Sequence, residues 1–109
     1  MLEPLFESEK KEKILLFILT HVESYAREIT KVLGLNFNTV QNQLLNLEKG
    51  GVLYSKTKGK VRLFGINPRY PFKKELEQLL KKALDFIPED EKKKFYSPRL
   101  RPRRTGKPL

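Results

Sequence analysis

The sequence predicts a mainly α domain with one small β-hairpin, an α+β fold, and three observations predict it. Helical apolar spacing recurs in three segments ahead of Gly50. The stretch Val52 to Asn67 then alternates, is rich in β-formers, and breaks at Lys58-Gly59-Lys60. A fourth helical stripe follows from Phe72 to Phe86. A chain of 109 residues holds one modest core. The domain is expected over 1–95, with 96–109 as a Pro/Arg-rich extended tail.

Each element has its own signal. Ser8 is a good N-cap for a first helix to His21. Its apolar block Ile14 to Leu19 covers more than one face, which predicts burial at the centre of the fold or in a dimer. "LEPLF" places Leu2, Leu5 and Phe6 where they cover that block, and His21 suits the helix C-terminus. Ser24 is the expected N-cap of a second helix, "YAREITKVLG", which Gly34 terminates. Asn36 caps a third helix from Phe37 to Lys49, ended by Gly50 and Gly51. Two short helices joined by a Gly-containing turn are a helix-turn-helix arrangement. The hairpin turn is expected near Lys58–Gly59, with Val52 and Tyr54 across from Val61, Leu63 and Ile66. Pro71 then sits in the first turn of the fourth helix. Leu76, Leu79, Leu80 and Ala83 belong to its apolar stripe, roughly 160° wide on ideal geometry. A short helical turn, "PEDEKKKF", follows, with acids first and lysines last as the macrodipole favours.

Composition narrows the function. The formal net charge is +10, yet residues 1–48 carry five basic and seven acidic groups. Residues 49–69 carry six basic groups and no acid, and residues 96–109 five and none. The chain has no cysteine and a single histidine, so disulfides, cysteine–zinc sites and histidine-rich metal sites are excluded, and no cofactor or metal is expected. No carboxylate pair, nucleophile–base set or phosphate loop is evident, so the chain reads as a non-enzyme. The longest apolar run, Ile14 to Leu19, is far too short to span a bilayer. Acidic residues crowd the N-terminal stretch, unlike a secretion signal, and the expected setting is cytoplasmic.

The third helix holds the sharpest signal. From Asn36 to Leu47 it contains no charged residue. On a helical wheel Val40, Leu44 and Leu47 fall together on the core side. Asn38, Asn42, Leu45 and Lys49 lie opposite, with Gln41 and Asn46 on the flanks. An amide offers a donor and an acceptor together, which matches the N6/N7 edge of adenine in the major groove. An ordinary solvated helix face fits the same pattern. The hairpin carries Lys56, Lys58, Lys60 and Arg62 at alternate positions, one face of a regular strand until the turn reverses it. Such a loop suits the DNA backbone or minor groove; an edge strand guarded by lysines fits as well.

The segment "AREITKVLGLNFNTVQNQLLNLEKGGVLYSKTKGKVRLFGINP", from Ala26 to Pro68, resembles a winged helix-turn-helix DNA-binding domain. The pattern is most similar to ArsR-like transcriptional regulators. It implies a regulator that binds double-stranded DNA in a sequence-specific way. Base reading would fall to Asn38, Gln41 and Asn42, with Asn36, Thr39, Asn46 and Lys49 on the backbone or flanks of the recognition helix. Lys56, Lys58, Lys60 and Arg62 would form the wing. Leu45 stands where family members often carry a basic residue. The resemblance also implies a homodimer through terminal helices, here through Leu76, Leu79, Leu80 and Ala83. Metal response is not implied, because the ligand clusters of metal-sensing members are absent. In the tail, Arg99, Arg101, Arg103 and Arg104 between prolines suit a narrow minor groove, while a solubilising tail fits equally. The competing functions are a protein-interaction winged helix, whose basic hairpin docks an acidic partner, and a nonspecific nucleic-acid binder.

Overall fold

The structure, a computed structural model, describes residues 2–97. Its order is α1 (Glu3–Phe6), α2 (Glu9–His21), β1 (Glu23–Ser24), α3 (Ala26–Leu33), α4 (Phe37–Lys49), β2 (Leu53–Lys58), β3 (Val61–Ile66), α5 (Lys73–Leu84) and α6 (Glu89–Phe95). The predicted α+β class is the observed one. The core surrounds α2, where Ile14, Leu15, Leu16, Phe17 and Ile18 are all at most 1% exposed. Leu2, Ile29, Val40, Leu44, Leu53, Phe64 and Leu80 belong to the same core.

Local chemistry sets the boundaries of α2. The Ser8 hydroxyl oxygen accepts a hydrogen bond from the Lys11 N–H at 3.0 Å, as an N-cap does. Glu9 and Lys13 pair one turn apart. At the other end, His21 Nδ1 lies 2.9 Å from the Phe17 carbonyl oxygen, and its ring stacks on Phe17 with centroids 3.9 Å apart. His21 is therefore a terminal residue of the helix and part of its packing. The sequence does not announce α1. This helix tucks Leu2 into the core and ties the Leu2 N–H to the buried Glu12 carboxylate at 3.0 Å. Leu5, expected to cover the core, points outward instead.

The sheet has a third strand. Its order is β1-β3-β2, all antiparallel, with Glu23 opposite Gly65 and Ser24 opposite Phe64. Two residues cannot display a period, so β1 leaves no pattern in the sequence. Its formation corrects the expected role of Ser24. That residue is a buried strand position whose hydroxyl donates to Glu28 at 2.6 Å, and Tyr25 occupies the N-cap of α3 without a side-chain cap. The predicted Gly34 stop and Asn36 cap are both present. Gly34 adopts φ 68°, and the Asn36 side-chain oxygen accepts from the Thr39 N–H at 3.2 Å. The hairpin closes one residue later than expected: Lys58 pairs with Val61, leaving Gly59 and Lys60 in the turn, with Gly59 at φ 64°. The helix α5 is shorter than predicted, because Phe72 is only its N-cap and beyond Leu84 the hydrogen bonds tighten to three-residue turns, with Asp85 bonded to Lys82 and Phe86 to Ala83.

The tail boundary also moves. Tyr96, the expected first residue of the tail, is 4% exposed and belongs to the core. A large ring that finds an apolar seat beyond a short helix carries no periodic signal. The predicted arm residues Arg99, Arg101, Arg103 and Arg104 lie outside the described residues.

Among the described residues two that are not glycine, Glu7 and Val22, take positive φ, and Val22 is the more strained. Val22 ends α2 at φ 71°, ψ −56°, the rare γ-turn region that a β-branched residue adopts at a cost. The side chain is 74% exposed, so little packing offsets that cost. Val22→Gly is expected to stabilise the domain by about 1 kcal/mol after glycine's own entropy loss. That corresponds to a Tm higher by about 4–8 °C. Thermal unfolding checks it, with Val22→Ala as the comparison that keeps a Cβ and should show no comparable gain. A lower Tm for the glycine variant would show the conformation to be unstrained.

Candidate nucleic-acid interface

The helix α4 separates its residues as the wheel predicts. Val40, Leu44 and Leu47 are buried, while Asn38, Asn42, Leu45, Asn46 and Lys49 are exposed and Thr39 and Gln41 are half-buried. The burial of one stripe against the core fixes the rotation of the helix. The outward edge is therefore a row of amides with Leu45 among them and Lys49 at its end. Asn36 stands apart from that row, since its side-chain oxygen caps the helix.

Two carboxylates fasten the hairpin beside this helix, one on each side of the sheet. Glu23, Gly65 and Tyr54 lie in register across β1, β3 and β2. Tyr54 reaches over Gly65 and donates its hydroxyl to Glu23, and the same carboxylate pairs with Lys56 at 3.0 Å. Gly65 permits this, because a Cβ there would stand 2.6 Å from the Tyr54 hydroxyl. On the other side Glu48, near the end of α4, accepts from Ser55 and from the Arg62 guanidinium. Arg62 also donates to Ser55 at 3.1 Å and lies 5.3 Å from the centre of the Phe64 ring.

This register changes the picture of the four wing cations. Opposed residues share a face, and Lys56 opposes Leu63 while Thr57 opposes Arg62. Lys56 and Lys58 therefore share one face and Arg62 lies on the other, so the turn breaks the alternate pattern as expected. The cause is the two-residue turn, which pairs even positions of β2 with odd positions of β3. Lys56 and Arg62 are each ion-paired within the domain. Lys58 and Lys60 are exposed at the tip, and no ion pair holds either among the described residues.

The expected dimer residues divide as well. Leu80 is 0% and Ala83 is 4% exposed within the single chain, which corrects their assignment to an interface with another copy. They fall on the side of α5 that packs against α2, while Leu76 and Leu79 are only partly buried. Sequence reasoning misses Glu23 and Glu48 as wing fasteners, and it misses a cleft of about 350 Å³ between α3, α4 and the wing. Tyr25, Arg27, Phe37, Gln41 and Lys60 are among the residues lining it. No group of His, Cys, Asp and Glu suited to a metal ion is present among the described residues. None of their helices is long and apolar enough to cross a membrane.

The strands, the helix-turn-helix and the two-stranded wing make this a winged-helix fold, and solved structures share it. The chain is 18% identical to a double mutant of Lactococcus lactis ZitR, with a TM-score of 0.57 over 79% of this chain. It spans 66% of that ZitR chain. It is 19% identical to a point mutant of S. aureus MepR, with a TM-score of 0.62 over 84% of this chain and 74% of the other. A different point mutant of MepR, bound to an oligodeoxyribonucleotide, gives 20% identity and a TM-score of 0.52 over the same shares of the two chains. The likeness is to the winged-helix fold and does not extend to the ArsR-like subtype. No protein-family model and no curated protein sequence matches the chain.

The Tyr54 bridge makes a pH-dependent contribution. Burial, and then the hydrogen bond and charge of Glu23, push the Tyr54 hydroxyl up from 10.0 to about 12. Burial, with Glu91, Glu12 and Glu9 nearby, raises Tyr96 as well. A raised folded-state value means that the neutral tyrosine is favoured by folding. Its contribution is complete below the unfolded value and disappears as pH rises through the folded one. Tyr54→Phe should cost about 1 kcal/mol near neutrality. The gap between wild type and variant should narrow between pH 10 and 12. Denaturant unfolding of both proteins across that range checks it, and a gap independent of pH would exclude the bridge.

Proposed function

We propose that this chain is a sequence-specific, double-stranded DNA-binding transcriptional regulator and not an enzyme. The observation that carries the proposal is the uncharged amide edge of α4, exposed beside a wing whose cations, among the described residues, are unpaired only at the tip. Amides discriminate between base edges, while ammonium groups bind phosphate wherever it occurs. In this reading Asn38, Gln41 and Asn42 read bases. Thr39, Asn46 and Lys49 contact the backbone or flanks, and Lys58 and Lys60 add phosphate or minor-groove contacts. The oligodeoxyribonucleotide in the similar MepR structure supports this use of the fold. The affiliation with ArsR-like regulators rests on sequence pattern alone. Arg99, Arg101, Arg103 and Arg104 are proposed to add phosphate contacts, and the cytoplasm is the proposed setting.

Asn38→Ala, Gln41→Ala or Asn42→Ala should each cost about 1–3 kcal/mol on the preferred duplex and little on random duplex. Lys58→Ala and Lys60→Ala should weaken binding to both and flatten its salt dependence. Titration of each variant against a duplex selected from a random pool, and against the pool itself, decides the matter. Equal losses of the amide variants on both would contradict base reading.

A homodimer is proposed through the outer side of α5. Just past its C-terminal end Phe86 is 62% exposed and, with the partly buried Leu79, edges an apolar groove. Two copies would set two recognition helices on successive major grooves. Because Phe86 is exposed, Phe86→Glu should yield a folded monomer at concentrations where the native chain sediments as a dimer. A native chain that sediments as a monomer at micromolar concentration would remove the dimer.

A further inference from the structure

Nothing local in the sequence marks Arg27, and the structure gives it an unusual setting. It is exposed on the first turn of α3, and its guanidinium lies 5.0 Å from the centre of the Phe37 ring, at the start of α4. Stacking on an aromatic face orients a guanidinium without engaging its N–H donors. No carboxylate engages Arg27 among the described residues. Across the cleft stands Lys60 of the wing turn, and no acidic residue lines the space between them. Arg62 lines the same cleft but is held by Glu48.

Gln41 connects this cleft to the reading edge, because it flanks the amide row and lines the cleft as well. A duplex read along α4 places one wall of its major groove on each side of the helix, about 12 Å apart. On the α3 side that wall is a sugar-phosphate strand, and the cleft is where it must pass. Phosphates carry the charge that Arg27 and Lys60 lack as neighbours. The planar fork of Arg27 also suits phosphate oxygens better than an ammonium does.

We infer that Arg27 and Lys60 form a two-sided clamp for one strand of the DNA backbone, with Arg27 pre-set by its stack on Phe37. The inference rests on the DNA-binding reading of α4 and adds to it a second grip, on a different element, that is blind to sequence. Each cation that neutralises a phosphate contributes about 0.9 to the slope of log K against log salt. Removing one therefore lowers affinity about eightfold at 0.1 M salt relative to 1 M.

The test titrates the full chain, Arg27→Gln, Arg27→Lys and Lys60→Gln at several salt concentrations. Each is measured against the selected duplex and against random duplex. Lys81→Gln on α5, outside the cleft, controls for overall charge. Arg27→Gln is expected to weaken binding on both duplexes by the same factor and to flatten the slope by about 0.9. Arg27→Lys should keep the slope and lose only part of the affinity. Arg27→Gln indistinguishable from Lys81→Gln, while Asn42→Ala still loses affinity on the selected duplex alone, would overturn the clamp and leave base reading standing. A flattened slope with Arg27→Gln and no discrimination by Asn42→Ala would do the reverse. A native chain that binds no duplex would remove both.

Discussion

The fold depends on one constraint: the middle of α2 has no polar face. Five consecutive residues, Ile14 to Ile18, are at most 1% exposed, so cover must come from every direction. Five successive helical positions sweep more than a full turn, and no single partner can bury them. The cover comes from α1 and α5, from α3 and α4, and from the sheet through β3. The spacing of the recognition helix and the wing follows from this, since each is fixed by what it presents to α2. Val40, Leu44 and Leu47 dock α4, Leu53 and Phe64 dock the hairpin, and the polar edges face outward as the remainder.

Charge is arranged with the same economy. The wing carries a run of cations, but the two nearest the body of the domain meet Glu23 and Glu48. The positive field is thereby concentrated at the tip and in the cleft under Arg27. Both carboxylates also accept from a hydroxyl of β2, Tyr54 in one case and Ser55 in the other. A carboxylate that accepts from two donors is better satisfied than one in a simple surface pair, and surface pairs alone contribute little. These contacts orient the hairpin more than they add to overall stability.

The parts legible in the sequence are those with a period or a cap. The helices α2 and α4 can be bounded from Ser8, Asn36 and the glycines, and α4 can be rotated correctly, because a buried stripe and an amide row leave opposite marks on a helical wheel. The pattern of winged-helix elements is readable for the same reason. What cannot be read is pairing across distance. Nothing local to Glu23 announces a strand, and nothing local to Gly65 shows that a tyrosine ring passes over it. Arg62 looks like a wing cation because strand alternation is local, while its ion pair with Glu48 depends on the register. Leu80 and Ala83 belong to a stripe wide enough to serve a core and a partner together, and only packing divides the two.

The two-residue turn at Gly59–Lys60 has a consequence for how this wing can change over generations. Its length sets the parity of the pairing, and parity decides which side each residue of β3 occupies. A slip of β3 by one residue past β2 would turn Phe64 away from the core and carry Arg62 off Glu48. A slip of two residues would return Phe64 to the core side but still carry Arg62 away from Ser55 and Glu48. Length variation at this tip is therefore tolerated only where the loop absorbs it and the pairing of Lys58 with Val61 is kept.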